Sequence, residues 1–346
     1  LPLSYAGIRF LKTNQPTQKP PKEHSIVQPV VPEYRPPALG VNPAYDEALK
    51  YIFEDKENKY RQIKELEAKI KQILQNGHPI TDKTVSELEK EKRILEIRAE
   101  ANDPEVRWNF EHGKIDMSKP VYRFLQEKKW KNGYLQHLME RVSQMYVIPD
   151  VFPELVDPTI NLQFRYGDEV GEPGAFQLPI NTINPPTVIL DNFHEDNRLY
   201  TFVMVNPDMP NVEQKTFQIE WHWLIVNIPL KATKTDISGG ETIVSYIPPH
   251  PPKGTRYHRY ALGIYEQPYG RINVDDINQY KTTHDFAEKY RLKLRGASFF
   301  REIWDKNVSE IYNNILKIRE PIYGKQPNLD TRKNEFTKYP ESLNDN

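Results

Sequence analysis

The feature that most constrains the fold of this chain is a change in hydrophobic period near residue 150. Beyond it, short runs rich in Val, Ile, Tyr and Phe are separated by turn residues, without long helices between them. Strands of this length and spacing are typical of an antiparallel sandwich or Greek-key architecture. We therefore expect a β-sandwich over residues 151–318, in a chain of the α+β class. The strand-like runs cover residues 160–166, 187–192, 199–206, 217–228, 242–247 and 257–267.

The two ends of the chain differ from the predicted sandwich. Residues 1–43 are rich in proline, which excludes a helix or a central strand. They form either a disordered tail or an extended arm that becomes ordered against a partner. Residues 319–346 are polar, carry both charges and indicate a C-terminal tail. A helix is predicted just before this tail, with one apolar stripe formed by Trp304, Val308, Ile311, Tyr312 and Ile315.

Residues 44–150 have helical spacing and form a predicted helical extension. In residues 44–101, apolar side chains recur at three- and four-residue steps among Glu and Lys. Asn42–Pro43 has the form of an N-cap followed by a first-turn proline, and Gly77 divides the segment into two helices. The seams between these helices are narrow. The pair is therefore either a solvated, charged element or one that grips neighbouring molecules.

The helices expected in residues 104–150 contain an unusual number of aromatic residues. We expect these side chains to cover one face of the sandwich, because isolated helices rarely expose so many. The alternative is that Trp108 or Trp130 stacks on RNA bases.

Composition excludes several classes of protein. The chain has no cysteine, so disulfides, cysteine zinc sites and thiol nucleophiles are absent. Its formal net charge is −1, so RNA contacts would be local rather than spread over the surface. No run approaches the ~18 apolar residues that a membrane span requires. The chain begins at Leu1, so it is either a fragment or a protein from which a leader has been removed.

Two histidines begin apolar stretches of predicted strands. His222 is expected on one face with Leu224, Val226 and Ile228, and His258 on one face with Tyr260, Leu262 and Ile264. They either line a small polar pocket, which Asp208 could join, or are hydrogen-bonded core residues. A metal site needs a third ligand, for which the sequence offers only His250 on a proline-rich loop. We therefore predict no metal and no cofactor, and no nucleophile motif indicates an enzyme.

Three motifs, in this order, resemble the phosphatidylethanolamine-binding protein (PEBP) family. They are FVMVNPDMP (202–210), HWLIVNIP (222–229) and PPKGTRYHRYALGIYEQ (251–267). The resemblance covers roughly half of the chain and implies a Greek-key β-sandwich with a small anion- or ligand-binding pocket. The pocket residues that it implies are Asn206, Asp208, His222 and His258.

Two departures from the family pattern concern this pocket. Asn206 replaces the first aspartate of the family turn, and Pro248–Pro249–His250 replaces a glycine-containing loop. Prolines crowd the approach of an anion and remove N–H donors. We therefore expect a pocket that keeps its shape and has lost its affinity for anions.

The long extension before the sandwich also resembles that of PEBP-like proteins of the mitochondrial large ribosomal subunit, in a fungal version. This implies a non-enzymatic, structural role in mitochondrial translation, in the matrix and near the central protuberance. The implied partners are other mitochondrial ribosomal proteins and, through local contacts, large-subunit rRNA; no homo-oligomer is expected. The alternative is a free PEBP-like protein that binds a ligand or regulates a partner.

Overall fold

The computed structural model describes residues 33–76, 83–152 and 157–326. Most of the predicted arm, Gly77 and residues 327–346 of the predicted tail lie outside the described residues. Residues 1–35 form a separate unit, of which residues 33–35 are described and have no regular structure. The described helices and strands belong to the second unit, residues 36–346.

The helical extension follows the predicted order closely. Asn42 caps the first helix, because its Oδ1 accepts from the N–H of Tyr45 at 3.4 Å and Pro43 occupies the first turn. Its narrow seam against the second helix is formed mainly by buried Ile63, Leu66 and Ile70. The extension consists of α1 (Pro43–Gln75), α2 (Lys83–Glu100), α3 (Pro104–Glu111), α4 (Pro120–Asn132), α5 (Tyr134–Gln144) and the single turn α6 (Val147–Asp150).

The remaining elements form two open sheets. The strands are β1 (Ile160–Tyr166), β2 (Glu169–Val170), β3 (Phe176–Gln177), β4 (Thr187–Asn192), β5 (Arg198–Asn211), β6 (Thr216–Leu230), β7 (Glu241–Val244), β8 (His258–Glu266) and β9 (Lys293–Glu302). A three-stranded sheet has the order β2-β1-β4, and a six-stranded sheet has the order β3-β9-β8-β5-β6-β7. Neighbouring strands are antiparallel except for β3 and β9. The helices among them are a 3₁₀ turn (Ile277–Gln279), α7 (Thr283–Lys289) and α8 (Lys306–Glu310), which continues as a π-helical turn (Ile311–Leu316).

Two apolar layers lie on opposite faces of the six-stranded sheet. The inner layer fills the space between the sheets and includes Leu162 of β1 and Phe202 of β5. The outer layer joins the sheet to Leu138 and Val142 of α5 and to Phe286 of α7. The fold is therefore the predicted α+β sandwich, and α5 covers one of its faces as expected for residues 104–150.

Strand β9 and helix α7 were not among the predicted elements, and two predicted elements need correction. Strand β7 ends at Val244, three residues before the predicted run does. The C-terminal stripe is interrupted at both ends: Trp304 precedes the helix, and Ile315 is exposed because the π-helical turn changes the helical period.

Residues 319–326 are not part of a free tail, which corrects the predicted boundary at residue 319. Ile322 forms a parallel bridge with Lys253, and Gln326 Oε1 accepts from the N–H of Gly254 at 2.8 Å. Gly254 has φ +90°, and a Cβ there would lie 2.4 Å from the backbone nitrogen of Gly324. The segment therefore packs against the PPKGT loop, where only a glycine permits so close an approach.

The strict alternation of faces along a strand placed His222 with Leu224 and Val226, and this prediction is wrong. A register shift of β6 against β5 lies beside it, and the His222 ring packs edge-on against Tyr260, a residue of the inner layer. A second irregularity at Asn227, which has φ +59°, moves Ile228 to the inner layer. Leu224 and Val226 pack in the outer layer instead. Bulges add one residue to a strand and so reverse the alternation of faces.

Candidate functional site

Asn206 and His258 are joined by a hydrogen bond at the buried end of strands β5 and β8. Asn206 Nδ2 lies 3.2 Å from His258 Nδ1, and His258 Nε2 lies 3.0 Å from Thr255 Oγ1. Because an amide NH₂ can only donate, Nδ1 accepts and the imidazole proton is on Nε2. Burial lowers the pKa of His258 to about 4, although nearby Asp208 and Glu220 act in the opposite direction. His258 is therefore neutral at physiological pH.

The replacement Asn206→Asp is expected to raise the pKa of His258 from about 4 to above its ordinary 6.5. A carboxylate cannot donate to Nδ1, and it stabilises a protonated imidazole. An NMR titration of the histidine side chains measures this shift. Asn211→Asp, near the end of the same strand, is the control for added charge, because Asn211 contacts Gln218 rather than His258. An unchanged His258 pKa in Asn206→Asp would contradict the assigned hydrogen bond.

Asp208 is held by an arginine rather than by the histidines. Its Oδ2 accepts from the backbone N–H and from Nε of Arg259 at 2.8 and 3.0 Å, and its Oδ1 accepts from Nη2 at 2.7 Å. Arg259 Nη1 also donates to the carbonyls of Met145 and Tyr146 and to the Asp150 carboxylate. Through Arg259, Asp208 therefore links the sandwich to the helical extension, and it makes no hydrogen bond to His222 or His258 among those of the described residues.

A second buried cluster consists of Glu220, His222 and His250. His222 Nε2 lies 3.2 Å from Glu220 Oε2, and His250 Nε2 lies 3.2 Å from Glu220 Oε1. The remaining ring nitrogens face backbone carbonyls: His222 Nδ1 is 2.8 Å from Ile247 O, and His250 Nδ1 is 2.7 Å from Pro248 O. Burial opposes ionisation of Glu220, but the two histidines hold its pKa well below the ordinary value.

The loop that carries His250 can be buried because it has almost no backbone donors. Residues 248–252 read Pro-Pro-His-Pro-Pro, so His250 supplies their single N–H, and Tyr260 Oη accepts it at 3.1 Å. The His250 carbonyl accepts from the Tyr312 hydroxyl at 3.0 Å. Buried backbone groups need partners, and this loop leaves few to satisfy. The prolines therefore fix His250 in the interior.

The helical extension forms one wall of a cleft beside His258. The cleft has a volume of about 610 Å³. Charges of both signs line it, including Asp150 and Arg256, so it lacks the uniform positive potential of a dedicated anion site. Its walls comprise Gln144, Met145, Tyr146, Asp150, Asp208, Phe217 and Thr255 to Arg259.

The sequence prediction grouped the site residues differently from the structure. Asn206 contacts His258 as a pair, His222 belongs with Glu220 and His250, and Asp208 is held by Arg259. Glu220 and His250 were not among the predicted site residues. His250 was considered only as a third metal ligand on a proline-rich loop, and the structure buries that loop residue. Its flanking prolines could have indicated a buried loop, because they carry no N–H.

The sandwich is the part of the chain that matches the model of a known protein family. The model of the family described as phosphatidylethanolamine-binding protein matches residues 157–299. The chain is 36% identical over 132 residues to the "Protein MOTHER of FT and TFL1 homolog 2" of Oryza sativa subsp. japonica, which covers 37% of the chain and 72% of that protein. The chain therefore belongs to the phosphatidylethanolamine-binding protein family.

Two further comparisons differ in how much of the chain they cover. The chain is 26% identical over 284 residues to the large ribosomal subunit protein mL38 of Schizosaccharomyces pombe, over 80% of the chain and 88% of that protein. A solved phosphatidylethanolamine-binding protein from Plasmodium falciparum is 20% identical, with a TM-score of 0.37, over 47% of the chain and 95% of that structure.

Proposed function

We propose that this protein is a structural, non-enzymatic constituent of the mitochondrial large ribosomal subunit. The observation that carries the proposal is the extent of the similarity to mL38, which covers 80% of the chain. Residues 157–346 make up little more than half of the chain. The similarity to mL38 must therefore include part of the helical extension. A free binding module of this family needs little beyond the sandwich, whereas an assembly subunit needs surfaces for its neighbours.

The exposed apolar residues of the extension support a role in assembly. Tyr51 and Phe53 of α1 are exposed, as are Leu39 and Val41 just before it. The seam that α1 shares with α2 is narrow, so apolar surface remains for other molecules. Other mitochondrial ribosomal proteins are the proposed partners, with local contacts to large-subunit rRNA in the matrix. No described helix is long and apolar enough to cross a membrane.

The state of the family-mapped pocket supports a structural role over ligand binding. Asn206, His222 and His258 are buried. Protein groups bond Asn206 Nδ2, His222 Nδ1 and both ring nitrogens of His258, and the remaining nitrogen of His222 faces the Glu220 carboxylate, which repels an anion. Asp208 is paired with Arg259. An anion would have to displace these contacts, each of which contributes about 0.5–1.5 kcal/mol or more. We therefore propose that the pocket has no appreciable anion affinity, and the central-protuberance position stays a prediction.

The full chain, tagged and expressed in mitochondria, is expected to sediment with the large ribosomal subunit on a sucrose gradient. Replacing both Tyr51 and Phe53 by Glu should lower incorporation about tenfold or more, because burying one aromatic side chain contributes roughly 1.5–3 kcal/mol. Phe217→Glu, at an exposed position of β6, is the matched control and should incorporate normally. Sedimentation only as a free protein, with phosphate-headgroup binding tighter than about 1 μM, would favour the free ligand-binding alternative.

A further inference from the structure

In the cluster of Glu220, His222 and His250, the atoms that face one another are all hydrogen-bond acceptors when the histidines are neutral. Backbone carbonyls only accept, so the Nδ1 atoms beside Ile247 O and Pro248 O must both donate. In a neutral imidazole the remaining nitrogen, Nε2, then carries a lone pair. Each Nε2 points at a carboxylate oxygen, which is also an acceptor, at 3.2 Å. Such an arrangement is satisfied either by a proton on each Nε2, which would then donate to the carboxylate, or by a metal ion between the three side chains.

The spacing of these atoms suits a metal ion. One ligand atom from each of the three side chains lies within 4.8 Å of the others. Bonds of about 2.0–2.2 Å to zinc at tetrahedral angles separate neighbouring ligand atoms by about 3.3–3.5 Å. Both nitrogen–oxygen distances are 3.2 Å, close to that separation, but His222 faces Oε2 and His250 faces Oε1 of Glu220. The carboxylate would therefore bind the ion through both oxygens or rotate to offer one of them.

The surroundings hold both histidines in the form that binds metal. A histidine ligand usually donates its other ring N–H to a carbonyl or carboxylate, which fixes the tautomer and orientation. Both histidines have this partner here. Prolines on either side of His250, and the Tyr260 and Tyr312 hydroxyls on its backbone, restrict movement of the loop.

We propose that Glu220, His222 and His250 bind a single divalent ion of the zinc class. Two imidazoles and one carboxylate favour zinc over magnesium or calcium, which prefer oxygen ligands alone. The Glu220 side chain keeps 29% of its exposure, so the ion has a route from solvent, and water takes the fourth position. The ion holds residues 245–257 against β6 and stabilises the folded chain. This site is independent of the proposed ribosomal role.

The test uses the purified full-length protein after removal of metal by a chelator. Zn²⁺ affinity is measured by competition with an indicator chelator, and Co²⁺ serves as a spectroscopic probe of coordination geometry. We expect one Zn²⁺ per chain with a Kd below about 1 μM, a tetrahedral Co²⁺ spectrum and a melting temperature that rises with Zn²⁺. His250→Gln and Glu220→Gln should each weaken binding by about 100-fold or more, because one of three protein ligands is lost.

His258→Gln is the matched control, because His258 is also buried but lies outside the cluster. It should bind Zn²⁺ as the unmodified protein does, which separates loss of a ligand from loss of folding. Circular dichroism verifies that each variant is folded. Two results would overturn the proposal: no stoichiometric Zn²⁺ binding by the unmodified chain, which would leave protons as the cation in the cluster, or unchanged binding in both ligand variants.

Discussion

The Glu302→Gln variant is expected to be more stable than the unmodified protein at neutral and alkaline pH, by a margin that grows with pH. Glu302 is fully buried, and its Oε2 accepts from Thr182 Oγ1 at 2.9 Å. Among the described atoms, its Oε1 has no hydrogen-bond partner. Burial therefore raises the pKa of Glu302 well above its usual value, and the charge of Asp305 adds to this effect. The folded protein keeps the carboxylic acid neutral.

The sign of the pH dependence follows from proton linkage. Above the ordinary pKa of 4.5 the unfolded chain loses this proton while the folded chain retains it. The free energy of unfolding then falls by about 1.4 kcal/mol per pH unit, until the pKa of the folded state is reached. Gln cannot ionise, so this contribution disappears in Glu302→Gln. The gain should be absent below pH ~4, where both states are protonated.

Urea denaturation of both proteins at a series of pH values measures the difference. Glu213→Gln, at the exposed turn between β5 and β6, is the control for loss of a surface carboxylate. Three tyrosines interact electrostatically with Glu302, namely Tyr166, Tyr246 and Tyr260, and burial raises the pKa of each. They therefore stay neutral over the measured range. Parallel curves for the Glu302→Gln and unmodified proteins would mean that Glu302 is ionised in the folded state.

Asp208→Ala is expected to lower the free energy of unfolding by about 3 kcal/mol, because it leaves the Arg259 guanidinium poorly paired in a mostly buried position. The two side chains retain only 19% and 14% of their exposure. Arg259 also holds carbonyls at the end of the helical extension, so the loss should loosen α5 and α6. Hydrogen exchange of the α5 amides, together with denaturant unfolding, measures both effects.

The matched control is Asp196→Ala, which removes another carboxylate bound by two guanidinium nitrogens. Arg198 donates to Asp196 through Nε and Nη2 at 2.7 and 3.1 Å, but those side chains keep 39% and 58% of their exposure. Exposed pairs contribute about 0–1 kcal/mol. Equal destabilisation by the two replacements would show that burial does not set the strength of the Asp208–Arg259 pair.

The strands could be predicted from sequence because their local pattern and their motifs agree. β1 and β4 begin and end at the predicted residues. Which face a residue occupies was less predictable, because a single bulge reverses every assignment beyond it. The register shift beside His222 and the positive φ of Asn227 depend on pairing with β5 and on contacts with distant residues. Neither irregularity could therefore be predicted from the residues next to it in the sequence.

The site was harder to predict than the fold, for a related reason. His222 and His250 meet only because the loop after β7 turns inward, and inward turning depends on how its few backbone donors are satisfied. Glu220 precedes His222 by two residues and resembled an ordinary polar residue of a partly exposed strand. Asn206 and His258 were both among the residues that the motifs implied, and in the structure they contact each other.

The contacts of Arg259 constrain how this protein can evolve. Arg259 lies in the third family motif, yet its Nη1 donates to Met145, Tyr146 and Asp150 of the helical extension. A recombination boundary at residue 150 would therefore separate a guanidinium from its acceptors and uncover the apolar layer beneath α5. The extension and the sandwich should be inherited as one block.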